Sequence, residues 1–377
     1  MEEEMSALEK RSESGLSWNY LPLTLERDSL SQTFTTQILP LVRPAWRDCH
    51  VQTKVFTDGI TNVLLGFYVS REGSRDQEKE DIVLLRMNGE GTEVFLDRRA
   101  EILVMLSLHN ANLVPPLYLE LANGLCYGYI PGRPFTMDDM QDDVMMQRTA
   151  RAVARLHAVP VPDTLRSPQP YVWNKIRQFL NTVTGSFTDL HKTQKFQEIF
   201  GSLAVVSEEV DALQMELRQS ESSLVFCHND LLCGNLIFDS STGNVSMVDY
   251  EYGGPNLAAY DIGNHFCEFA GLSEPVDYER YPSEAVQYKW IRYYLQECAI
   301  IRGQGTDSVT DDSIRSLYLE VNQYALAAHL FWAVWSLLQA ELSTIDFDYI
   351  EYAGVRFAEY KRRKDLFLNL HLNFNLH

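Results

Sequence analysis

Positive charge is scarce in this chain. Among 377 residues, 32 lysines and arginines stand against 52 aspartates and glutamates, a formal net charge of −20. That balance repels phosphate backbones and anionic lipid, so nucleic acids and membrane surfaces are poor partners. Paired cysteines are also missing. Cys49, Cys126, Cys227, Cys233, Cys267 and Cys298 are scattered without a CxxC, which reads as reduced thiols in a cytoplasmic protein. His228, His265 and the cysteines near them follow no zinc-finger spacing, so no zinc site is expected. The acidic opening MEEEMSALEKRSES has no apolar h-region and reads as no signal peptide. The most hydrophobic run, 324–338, is shorter than the roughly 20 apolar residues a bilayer needs. His329 sits inside it, so a buried helix and no stable membrane insertion are expected. Internal repeats and low-complexity blocks are absent.

What is present suits a globular enzyme: apolar residues make up 45% and charged residues 22%. The length exceeds that of a usual single domain, so two lobes are expected. The first third reads as strands at 49–56, 63–69, 82–87, 117–120 and 125–130, with one amphipathic helix at 97–109 after the third strand. From Asp138 onward helices dominate, at 140–157, 171–182 and 207–218. A small β interruption spans 224–248, and the chain is helical again from Pro255 to near Lys364. The composition changes near Pro131-Gly132. The expected organisation is a disordered lead-in 1–18, an N-terminal lobe 19–130 and a C-terminal lobe 131–377.

The segment VFCHNDLLCGNLIFDSSTGNVSMVDYEYGG, 225–254, carries the chemistry. It contains His228-x-Asp230-x4-Asn235, a short hairpin, and Asp249 at the end of the hairpin's second strand. Phosphoryl transfer needs a carboxylate beside the acceptor hydroxyl and two oxygen ligands for Mg²⁺ on the phosphates. Asp230 suits the first role. Asn235 and Asp249 suit the second if the hairpin brings them together.

This pattern resembles the kinase-like phosphotransferases, and most closely the choline/ethanolamine kinase family. Asp249-Tyr250-Glu251-Tyr252, followed by Tyr260-Asp261-Ile262-Gly263-Asn264-His265-Phe266-Cys267-Glu268, matches that family's second signature. The resemblance runs from about Val51 to Arg362. It implies an α+β fold of two protein-kinase-like lobes: a small antiparallel N-terminal sheet lobe and a larger, mainly helical C-terminal lobe. It also implies ATP and Mg²⁺ as cofactors, Asp230 as catalytic base, and Asn235 and Asp249 as metal ligands. The loop with Gly59, Thr61 and Asn62 would lie over the ATP phosphates. Arg86 would hold the phosphates with Glu101 as its ion-pair partner, and the hinge with Tyr127 and Tyr129 would meet adenine. A multi-glycine loop, HRD, DFG and APE are lacking, which argues against a protein substrate.

For the acceptor the resemblance points to Trp332, Trp335 and Tyr252 as pocket aromatics, with Glu268 nearby. Asp261, Asn264, His265 and Glu268 are spaced as one stripe of a helix and read as lining a cleft, whereas His157 reads as packing and bonding locally. Glu251, Asp261 and Glu268 are candidate acceptors for a primary ammonium. Phe269-Ala270-Gly271 stands where choline kinases carry larger aromatics. The expected partner is therefore a small amino-alcohol, preferably ethanolamine, in phospholipid synthesis. Gly234 departs from the ethanolamine branch, where Lys is frequent. Choline kinase or dual activity is the alternative; an aminoglycoside kinase and a non-catalytic pseudokinase are further ones. A homodimer is left open.

Overall fold

Strands dominate the first of two units. The computed structural model describes residues 8–56, 63–69, 81–89, 91–219, 224–271 and 276–373. Its first unit comprises Met1–Pro134, Pro162–Thr164 and Ile237–Glu251. β1 (Glu9–Glu13) and β2 (Leu16–Leu21) form an antiparallel hairpin around Ser14 and Gly15, both at positive φ. β3 (Val51–Phe56), β4 (Val63–Val69) and β5 (Val83–Met87) follow, then helix α1 (Arg98–Asn110), β6 (Leu117–Leu121) and β7 (Gly124–Gly128). The seven strands make one sheet in the order β1-β2-β6-β7-β5-β4-β3. Every pairing is antiparallel except β2 with β6.

Two expectations are corrected here. Residues 9–18 are not a disordered lead-in: they form β1 and part of β2, because Trp18 is buried and donates its indole N–H to Glu120 at 2.7 Å. The sheet therefore has seven strands, two more than the alternation pattern showed. The lobe boundary also falls at Pro134, and the hairpin at 237–251 belongs to the first unit, not the second. There β8 (Arg133–Pro134) pairs with β10 (Leu236–Asp239), which pairs with β11 (Asn244–Met247). One face of the seven-stranded sheet is covered by the helical segment 30–42, whose Phe34 stacks on Phe67 with ring centroids 3.6 Å apart. Phe34, Ile38, Phe67, Leu85 and Cys126 are buried together there.

The second unit comprises Phe135–Val161, Leu165–Leu236 and Tyr252–His377. It contains α2 (Asp143–His157), α3 (Tyr171–Thr182), α4 (Leu190–Phe200), α5 (Leu203–Glu216), the two-stranded pair β9 (Leu224–Cys227) and β12 (Gly254–Leu257), and α6 (Ala258–Cys267), α7 (Glu284–Ile301), α8 (Asp311–Leu342) and α9 (Tyr349–Leu368). Asp142 caps α2 by accepting the amides of Val144 and Met145, and Thr310 with Ser313 forms a capping box on α8. Among the described residues, α8 is the one helix long and apolar enough to cross a bilayer. It is mostly buried within the protein, as the run 324–338 predicts for a core helix. His329 at its centre is fully buried, and burial, with Arg356, Arg363 and Arg362 adding to it, holds the imidazole well below its usual pKa.

Against α8 lies α6, and Gly263 sets their approach. A Cβ at Gly263 would stand 2.6 Å from the carbonyl oxygen of Val321 and 2.9 Å from the amide nitrogen of Ala325. Both obstacles are backbone, so relief requires parting two helices. Overpacking of this kind costs about 1–3 kcal/mol, and helix propensity returns roughly 1 kcal/mol. The net is a loss of about 1 kcal/mol, the middle of a range of about 0–2, and Gly263→Ala is expected to lower Tm by about 2–4 °C. Thermal denaturation followed by circular dichroism checks it; an unchanged Tm means the helices separate without penalty.

Candidate active site

The first unit brings Arg86, Glu101 and Asp249 into one charge cluster. Arg86 lies on β5 between Leu64 and Leu125 of the flanking strands. Asp97 caps α1 by accepting the Ala100 amide at 2.9 Å, which fixes the helix start and sets Glu101 in its first turn. The Arg86–Glu101 pair is buried and bidentate: Nη1 to Oε1 at 2.6 Å and Nη2 to Oε2 at 2.8 Å. Burial opposes both charges, yet their mutual attraction outweighs it, leaving the guanidinium more basic and the carboxyl more acidic than usual. Arg98 adds a second bond to Glu101 at 3.0 Å and reaches Glu251 at 3.4 Å. Nε of Arg86 and Nε of Arg98 are buried and without a hydrogen-bond partner among the described residues. Asp249 sits in the left-handed region at φ 62°. Burial, then the charges of Asp249 and Glu101, push the Glu251 carboxyl up to about 7.

Burial likewise raises the Tyr127 hydroxyl above its usual pKa. The Tyr129 amide donates to Ile82 O at 3.2 Å, so the segment after β7 is tied to the residue that precedes β5. Gly59, Thr61 and Asn62 lie outside the described residues.

In the second unit the loop after β9 carries Asp230, and its anchor is Asp261 on α6. Asp261 is fully buried. Its Oδ2 accepts the His228 amide at 2.9 Å and its Oδ1 accepts the Asn229 amide at 2.7 Å. His157 donates from Nε2 to Oδ2 at 3.0 Å, and its Nδ1 bonds to the Tyr294 hydroxyl at 2.9 Å. Burial pushes the carboxyl up, but these bonds and charges outweigh it and hold Asp261 below the usual range. Asn229 adopts φ 69°, and its side chain donates to Tyr252 O and accepts from Asn256. His265 donates from Nδ1 to Leu231 O at 2.9 Å; burial lowers its pKa to about 4, so the ring is neutral. Asn235 donates from Nδ2 to the Asp230 carbonyl at 2.9 Å and to its carboxylate at 3.1 Å.

The stripe on α6 is therefore not a cleft lining. Asp261, Asn264 and His265 are buried and bonded to the loop or to Trp332, because a backbone bent as at Asn229 needs partners for its amides and carbonyls. Asp261 is thereby removed as an acceptor for a substrate, and Glu251 is paired with Arg98 in the other unit. His157 is corrected too: its partners lie 104 and 137 residues away, not nearby. The buried trio His157, Cys227 and Asp261 is committed to hydrogen bonds, the Cys227 thiol donating to Leu257 O at 3.6 Å.

The three aromatics expected at the acceptor lie together. Trp332 and Trp335 stand edge to face at 5.4 Å, and Trp332 meets Tyr252 edge to face at 5.6 Å. Both indole N–H groups are committed, Trp332 to Asn264 at 2.7 Å and Trp335 to the Tyr252 hydroxyl at 2.8 Å. What the indoles have left to offer a ligand is ring surface. Tyr349 extends the group from Trp335, and Phe347 continues it to Tyr352 on α9. Glu268, in the turn after α6, pairs with the buried Arg356 of α9 at 3.1 Å. Tyr352 and Arg356 escaped the sequence reading. They carry no motif of their own, and only the packing of α9 brings them to Glu268.

The sequence model of choline/ethanolamine kinase matches residues 53–361. A probable ethanolamine kinase of Nematostella vectensis is 41% identical over 315 residues, 84% of this chain and 88% of that protein. Ethanolamine kinase 2 of Homo sapiens is 39% identical over 328 residues, 87% of this chain and 80% of that one. Among solved structures, a Plasmodium vivax ethanolamine kinase superposes with a TM-score of 0.73 at 23% identity, covering 90% of each chain. A Cryptosporidium parvum choline kinase gives 0.72 at 23% identity, over 90% of this chain and 97% of that one. Those structures share the kinase-like fold, and the matches in sequence span most of both partners; this chain belongs to the choline/ethanolamine kinase family.

Proposed function

We propose that the chain transfers the γ-phosphoryl group of ATP to the hydroxyl of ethanolamine, releasing ADP and phosphoethanolamine for phospholipid synthesis. The observation that carries the chemistry is the Asp230 carboxylate, bonded to Asn235 on a loop whose amides Asp261 holds. Asp230 orients the substrate hydroxyl and accepts its proton as that oxygen bonds to the γ-phosphorus. The bond from the γ-phosphorus to the β–γ bridging oxygen breaks, and the bridging oxygen leaves with ADP. Arg86, kept charged by Glu101, supplies positive charge for the phosphates; its unmatched Nε supports that role. Tyr127 and Tyr129 border the adenine end.

The donor chemistry suits Mg²⁺. Asn235 has its Nδ2 committed to Asp230, which leaves Oδ1 as a hard oxygen donor. Asp249 offers a carboxylate from a left-handed backbone, a strain of about 1–3 kcal/mol typical of functional positions. Asn235 and Asp249 would hold the metal, and its charge would offset that of the phosphates. All six cysteines are free thiols, which supports a cytoplasmic enzyme. Ethanolamine is favoured by the relatives' named activity and by the Glu268 carboxylate, an acceptor for an ammonium N–H. The ring faces of Tyr252, Trp332 and Trp335 favour choline as a second substrate.

Three outcomes are expected. Asp249→Ala abolishes turnover while Tm stays near that of the parent, and added Mg²⁺ does not restore activity; near-normal kcat sinks the metal assignment. Asp230→Asn lowers kcat by about a hundredfold or more, since general-base assistance is worth about 10²–10⁴-fold. A drop below tenfold would leave Asp230 only a loop-stabilising role. In competition at equal concentrations, phosphoethanolamine forms at least about tenfold faster than phosphocholine, because a site built on hydrogen bonds rejects a ligand without donors. Equal rates mean the aromatic group governs recognition.

A further inference from the structure

Arg356 poses a question that the reaction above leaves unanswered. It is 2% exposed, near the middle of α9. A guanidinium has five N–H donors in a planar fork and commonly meets a carboxylate through two of them. Here Nη1 alone reaches Glu268, at Oε1 and 3.1 Å. Nε and Nη2 are buried and have no hydrogen-bond partner among the described residues. A buried cation left so incompletely matched is a poor stabilising device, because the desolvation of each unmatched donor is uncompensated. Tyr352 lies one turn earlier on α9, with the guanidinium carbon 5.9 Å from its ring centroid.

The placement has a chemical reading. Glu268 is 5% exposed, and Arg356 is its one hydrogen-bonding partner through the side chain among the described residues. The contact takes Oε1 and leaves Oε2. Tyr352 is joined through Phe347 and Tyr349 to Trp335, so the pair lies beside the aromatic group. Resting on the ethanolamine reading, we infer that Arg356 is a positioning residue for substrate binding: it fixes Glu268 through Oε1 so that Oε2 receives an N–H of the primary ammonium. Arg356 also provides the counter-charge that the buried carboxylate lacks once the amine departs. Removing it leaves Glu268 free to rotate away, and the loss falls on binding of the amine and not on phosphoryl transfer.

The test is steady-state kinetics on the full chain with Arg356→Gln, Arg356→Lys, Glu268→Gln and the Arg356→Gln/Glu268→Gln double variant, varying ethanolamine and ATP separately. Arg356→Gln is expected to raise KM for ethanolamine about tenfold or more, in line with the loss of one partner of a buried charged pair. KM for ATP and kcat stay within about threefold, the signature of lost binding that does not change between ground and transition state. Arg356→Lys gives a smaller rise. Once Glu268→Gln is present, Arg356→Gln adds little, because the two act as one unit. The inference is overturned if kcat and both KM values move together, if the double variant shows the product of the single effects, or if ethanolamine KM stays unchanged. Should Arg356→Gln fail to fold, Arg356→Lys decides: a raised ethanolamine KM at normal ATP KM supports the inference, and an unchanged one overturns it. A parent enzyme that does not phosphorylate ethanolamine overturns the functional reading, and this inference with it. A parent that does so while the Arg356 variants bind ethanolamine normally overturns this inference alone.

Discussion

One buried carboxylate, that of Asp261, holds the loop that carries Asp230 in shape. An ionised group in the interior is tolerable only when donors surround it. Asp261 has three: two consecutive main-chain amides, of His228 and Asn229, and the His157 imidazole. Two consecutive amides can converge on one carboxylate only if the backbone turns sharply, and the turn is taken at Asn229 with φ 69°. Asn tolerates that conformation better than most residues, and its side chain ties the bend to Tyr252 and Asn256. Asp230 follows directly, so its position depends on a charge it never touches. The aromatic group depends on the same element, since Trp332 is held by Asn264, one turn along α6 from Asp261.

The first unit solves an analogous problem with opposite signs. There the buried charge to be held is Arg86, and Glu101 holds it through two bonds from the first turn of α1. Arg98 braces the same carboxylate and links it to Glu251. The cluster of Arg86, Arg98, Glu101, Asp249 and Glu251 carries three carboxylates and two guanidiniums. The surplus of negative charge, with burial, raises Glu251.

Much of this was legible in the sequence because it is local. The loop motif, the hairpin, the alternating strands and the run 324–338 each lie within a few dozen residues, and periodicity or spacing suffices to read them. Three features escaped for three different reasons. β1 and β2 lie in a charged, polar stretch whose strand character comes from pairing with the rest of the sheet and from Trp18 on Glu120. The polar stripe on α6 was read correctly as one face. Its partners come from α2 and the loop after β9, which periodicity cannot supply, so a buried clamp looked like a cleft. Arg356 and Tyr352 sit on a helix rich in charge, where nothing in the pattern separates a buried guanidinium from the exposed ones around it.

The hairpin at 237–251 also has a meaning for biosynthesis. β8 ends at Pro134, and its partner strand β10 starts at Leu236. The first unit is completed only when Glu251 has been made, 117 residues after Pro134 (251 − 134). At about 5–20 residues per second that interval is roughly 6–23 s. During it the ribosome is producing helices α2 to α5 of the other unit, while β8 waits without its neighbour. The strands of the seven-stranded sheet are all made by Gly128, but the small sheet of β8, β10 and β11 can assemble only after much of the helical unit has emerged.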